Sequence, residues 1–203
     1  MSLEKAAKMA GLEEKMQVRA TYYVLLCSDF YNVYSRKSQE LIGKILKCGH
    51  EIGLHFDEER YDDKKRMPEW IDREITILEE FTGVTIKSVS MHRPSKETLA
   101  ADYKIRGGNI VNSYGSEFFR DFKYVSDSRR DWREDVEKII EDGEFQRLHI
   151  LTHPIWYEKE ESTMKSQLVA FCRLAQTERY DALSENIRDL QEVLSKEEIK
   201  EGF

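Results

Sequence analysis

The sequence is short of cysteine pairs, of long apolar runs and of positive charge, and each shortage closes off a class of protein. Three cysteines, Cys27, Cys48 and Cys172, stand far apart and odd in number. They make neither a disulfide framework nor a C-x-x-C metal clip, so a reducing cytoplasm is the simplest setting and buried free thiols their expected role. No stretch approaches the roughly 20 apolar residues that span a bilayer, and no signal peptide is legible at the start. Lysine and arginine number 32 against 39 aspartates and glutamates, a net charge of -7. That balance argues against a nucleic-acid groove or an anionic membrane surface as partner.

What is present is ordinary globular composition, 40% hydrophobic and 11% aromatic over 203 residues, enough for a single domain, 1–203, with one core. The chain alternates. Residues 3–17 form an amphipathic helix, and 19–26, rich in β-branched and aromatic types, a strand. A helix over 36–47 closes at Gly49, a C-terminal capping position, before the strand 51–55. Helices then follow at 68–82, near 95–101 and at 133–142, and strands at 86–92, 109–113, 123–127 and 147–153. Everything beyond Tyr157 reads as a helical outer layer, 158–203. Such alternation implies an α/β fold with a mainly parallel sheet and helices outside it.

Strand parity adds a detail. Ile52 and Leu54 share one face while Glu51, Gly53 and His55 share the other; Val89 and Met91 oppose Ser88, Ser90 and His92; Leu148, Ile150 and Thr152 oppose His149, Leu151 and His153. A flat doubly wound sheet would be apolar on both faces. The small or polar second face fits a closed or distorted barrel whose interior leads to a polar site.

Parallel α/β folds place their sites at the carboxyl ends of strands. Those positions hold His55, Asp57 and Glu59; Arg93; Asp127, Asp131 and Trp132; then His153 and Trp156. Histidines, carboxylates and an arginine suit metal-assisted hydrolysis, in which a metal polarises a carbonyl, a carboxylate takes the proton of water and a histidine protonates the leaving group.

The same residues fall into ordered motifs: G-H-E-I-G-L-H-F-D at 49–57, Arg93-Pro94, D-S-R-R-D-W at 127–132 and L-T-H-P at 151–154. Together they resemble the polysaccharide deacetylase superfamily, nearest its divergent members of the surface-polysaccharide biosynthesis type, over roughly residues 18–157. The resemblance implies a distorted (β/α) barrel and a divalent metal, zinc by preference, held by His55 with Asp57 or Glu59. It makes His153 the acid that protonates a departing amine, and Arg93 the orienter of a catalytic carboxylate. Asp131 would brace Arg93 or His153, and Trp132 and Trp156 would wall a sugar site. His50 falls outside the ligand position.

Two departures qualify it. The second ligand histidine, four residues after the first, is Glu59 here. The family's first strand, ending in paired aspartates, is missing, and the sequence opens on the helix that would follow. The implied function is a metal-dependent hydrolase removing an N-acyl group from a sugar in cytoplasmic polysaccharide or precursor synthesis, impaired by loss of those aspartates. The alternative is a non-catalytic relative that binds a glycan or protein. A missing strand would also leave an unpaired edge and favour a homodimer.

Overall fold

The computed structural model describes residues 2–201; Met1 and 202–203, the extremes of the expected 1–203 domain, lie outside the described residues. The fold is α/β with parallel strands, in two compact units, Met1–Tyr157 and Glu158–Phe203.

The first unit runs α1 (Leu3–Lys15), β1 (Thr21–Val24), α2 (Arg36–Lys47), β2 (Glu51–Asp57), α3 (Met67–Thr82), β3 (Ser88–His92), α4 (Lys96–Ala101), β4 (Val111–Asn112), α5 (Ser116–Arg120), β5 (Lys123–Ser126), α6 (Val136–Asp142) and β6 (Leu148–Leu151). The helix starts follow from short polar caps: Ser2, Ser35, Ser95 and Asp135 each accept a backbone N–H of the first turn, satisfying a donor the helix leaves open. The stop of α2 is built by Gly49 at φ +83°. Its N–H donates to the Leu46 carbonyl and that of His50 to Ile45, the paired bonds of a Schellman turn.

Strands β1 to β4 form one parallel sheet in sequence order, and β5 pairs with β6 in a separate parallel sheet. Backbone pairing among the described residues joins neither β4 to β5 nor β6 to β1. The strands therefore stand as an open sheet and a separate pair, without the ring of hydrogen bonds that a barrel would close.

Parity in β2 and β3 is as the pattern implies. Ile52, Leu54, Phe56, Val89 and Met91 are buried and belong to the core with Ile42, Ile45, Ile71, Ile75 and Leu78 of α2 and α3. Register sets Tyr23 opposite Gly53, His55 opposite Ser90 and Asp57 opposite His92 on the second, polar face. Gly53 permits this layer to close, because a Cβ there would stand 2.6 Å from the Tyr23 ring. On β6 the apolar set is less covered than its parity suggests: Ile150 is exposed, while the His149 ring packs on Phe118 and Tyr124. Two of the three free cysteines, Cys27 and Cys172, are exposed and Cys48 is half-buried, so the expectation of buried thiols fails.

His50 is buried between elements. Its Nδ1 accepts the Ala20 N–H at 3.1 Å, so Nε2 carries the proton and donates to the Ala10 carbonyl at 3.0 Å, tying the start of β2 to α1. The second unit holds α7 (Met164–Asn186), capped by Thr163 and Ser166 bonding reciprocally, and α8 (Lys196–Glu201); Tyr180 is buried and donates to the Leu194 carbonyl at 3.0 Å. No helix among the described residues is long and apolar enough to cross a membrane.

Candidate functional site

The carboxyl ends of β2, β3, β5 and β6 carry the residues singled out above, and they fall into two groups. In the first, β2 presents His55 and Asp57 two positions apart, hence on one face. His92, which ends β3, turns its ring edge-on to His55: centroids are 5.0 Å apart at 84°, and His55 Nε2 lies 3.1 Å from His92 Nδ1. Burial, then the neighbouring His92 and more weakly His153, push the His55 imidazole down to about 3. His55 is therefore neutral at any ordinary pH. The Ser90 backbone counters this weakly, without completing a hydrogen bond to the buried Nδ1.

In the second group, the first turn after β5 presents Asp127, almost wholly buried, to His153 beyond β6. One carboxylate oxygen lies 2.5 Å from His153 Nδ1 and the other accepts the His153 backbone N–H at 2.9 Å. A carboxylate accepts, so Nδ1 carries the proton and Nε2 faces away from Asp127. The His153 side chain is 39% exposed. Tyr157 also bonds Asp127, and partial burial with that carboxylate pushes its hydroxyl up.

Asp131 does not supply the brace expected of it. It is exposed and its backbone N–H closes the turn onto the Ser128 carbonyl, while Asp127, four residues earlier, makes the contact with His153. Arg93 is exposed at φ +48° and makes no ion pair with a carboxylate among the described residues. Trp132 is exposed and Trp156 half-buried, on the turn that follows His153.

Glu58 is a residue the spacing gave no reason to choose. It lies between the two acids named as candidates, is buried, and accepts the Ser95 N–H at 2.6 Å and the Thr98 hydroxyl. It thus pins the Arg93-bearing turn to the end of β2. Burial works to raise its carboxyl, but the bonds from Thr98 and Ser95 outweigh it and hold it below the ordinary value. Because the folded state depresses this carboxyl, its contribution to stability is full above the ordinary carboxylate range. That contribution is lost as pH falls through the folded value. Glu58→Gln should be less stable at neutral pH and should lose less on acidification below about pH 4.3; urea unfolding across pH checks this, and parallel curves would contradict it.

A divalent cation finds a poor fit. His55 Nε2 is engaged by His92, and one Asp57 oxygen accepts the Glu59 backbone N–H at 3.1 Å. Glu59 is exposed, and no group of three or more His, Cys, Asp or Glu side chains is gathered for a metal among the described residues. Structural zinc takes four ligands and catalytic zinc three with water. His55 and Asp57 do not make such a set.

No family profile and no curated protein matches the chain. Among solved structures it is similar to a mutant of a CE4 family pseudoenzyme with restored enzymatic activity, at 11% identity and a TM-score of 0.48. The match takes in 88% of this chain, which spans 60% of the length of that one.

Proposed function

We propose that the chain is a polysaccharide-deacetylase-like protein acting on an N-acylated sugar, with His153 as the proton donor to the departing amine. The observation that carries this is the buried Asp127 holding His153 Nδ1 at 2.5 Å, which leaves Nε2 on the side away from that carboxylate. In amide hydrolysis water adds to the acyl carbon and gives up a proton, which the Nε2 lone pair of His153 can take; the C–N bond breaks, and Nε2 returns that proton to the nitrogen, which leaves as an amine. An imidazole fixed through one nitrogen, with the other on the side away from the carboxylate, suits that transfer. The ordered motifs from 49 to 154 support the same substrate class. Trp156, on the turn that follows His153, and the exposed Trp132 offer apolar faces for a sugar ring. The two parallel sheets would be arcs of the distorted barrel that such proteins build.

Zinc, which the resemblance implies, would polarise the acyl carbonyl when bound, but His55 and Asp57 do not fit it. That misfit favours a second reading, a non-catalytic relative that binds the acylated sugar and leaves it intact. The test is acetate release from an N-acetylglucosamine oligomer. Release supports the hydrolase; calorimetric binding without release leaves the second reading, and neither binding nor release overturns both.

A further inference from the structure

We propose that His92 is a plug on His55: the two imidazoles bond each other, and His92 occupies the ring nitrogen through which His55 would hold a cation. This goes beyond the substrate reading and does not depend on it.

Three features of the geometry point the same way. Nε2 of His55 and Nδ1 of His92 are 3.1 Å apart, a hydrogen-bond length, with the rings edge-on at 84°. One nitrogen of that contact carries a hydrogen and the other a lone pair, so the choice of donor fixes the tautomer of both neutral rings together, Nε2–H in each or Nδ1–H in each. The lone pair that a metal would need is spent inside the pair, or is replaced by an N–H. Second, a histidine that ligates a metal has its other ring nitrogen fixed by a carboxylate, carbonyl or water. His55 Nδ1 is buried and has no carboxylate behind it. His153 shows the contrast, its Nδ1 backed by Asp127. Third, no group of three or more His, Cys, Asp or Glu side chains gathers at His55 among the described residues. Asp57, opposite His92 in register, turns one oxygen to the Glu59 backbone.

Sequence spacing hides this pair, because the two histidines are 37 residues apart and meet only through the parallel register of β2 and β3. A cation would have to turn His92 away before reaching His55.

The experiment is long-range 1H–15N spectroscopy of the histidine rings in the full 15N-labelled chain at neutral pH, with zinc chloride titrated in. Ring signals are assigned by their loss in His55→Ala and His92→Ala. The expected result is one fixed tautomer for each ring, unmoved by one equivalent of zinc. His92→Ala should scramble the His55 tautomer, and His92→Asn, whose amide can still donate, should restore a single one. A shift of both ring signals by stoichiometric zinc would overturn the proposal, as would an unchanged His55 tautomer in His92→Ala. If His92→Ala fails to fold, the zinc titration of the unaltered chain and the His92→Asn spectrum decide alone.

Discussion

Asp127→Asn should lower acetate release from an N-acetylated sugar by about a hundredfold to ten-thousandfold while leaving the fold intact. Asp127 is nearly inaccessible, and its oxygens bond His153, one at the ring and one at the backbone N–H, with Tyr157 bonded to the same carboxylate. Asparagine keeps the shape but can offer an N–H toward Nδ1, which then must accept. With Nδ1 made the acceptor and the proton already on Nε2, the ring no longer has a carboxylate to hold Nδ1–H while Nε2 takes up a proton and passes it to the amine, or it swings free. The damage falls on turnover, since the sugar's own contacts are untouched. Turnover measured beside the thermal midpoint checks this. A variant with full turnover would remove Asp127 from the account, and one that loses its fold would make it structural only.

The largest stability loss is expected at Phe56. Phe56→Ala should cost about 3–5 kcal/mol, whereas Phe56→Leu should cost about 1.5 kcal/mol or less. Phe56 is buried on β2, with its ring stacked on Tyr61 at 5.3 Å and 8°; Tyr61 stacks in turn on Trp70 at 5.0 Å and 17°. The Tyr61 hydroxyl donates to buried Glu74 at 2.5 Å. Removing the Phe56 ring leaves a cavity under this stack and takes support from a carboxylate already held in the interior. Phe56 also lies between His55 and Asp57 in sequence, on the opposite face of the strand. Loss of packing there should therefore loosen the histidine pair as well. Urea unfolding gives the number, and a cost under about 1 kcal/mol would mean that the core relaxes into the space.

Much of this was legible in the sequence. The alternation of helix and strand, the polar face through Gly53, His55, Ser88, Ser90 and His92, and the placing of His153 after the last strand follow from periodicity and caps. Other points were not legible, for physical reasons. Asp127 and Asp131 are both plausible partners for a histidine by spacing. The choice depends on Arg129 and Arg130, which sit at φ +61° and +59° and break strand parity. Non-glycine residues seldom adopt that region, and composition does not announce it. Arg93, at φ +48°, is likewise carried off the face that β3 gives to His92. The five-residue helix α5, Ser116–Arg120, has no side-chain cap and is too short for a periodic signal. Closure of the sheet depends on pairing between strands distant in sequence, which alternation alone does not settle.

The central claim is that His153, held by Asp127, passes a proton to an amine leaving an acylated sugar. It is tested most directly by acetate release from an N-acetylglucosamine oligomer by the unaltered chain and by His153→Ala, with binding of the oligomer followed calorimetrically in both. The account predicts release by the unaltered chain and at least a hundredfold less by His153→Ala, with binding retained. Equal release by the two proteins would contradict it.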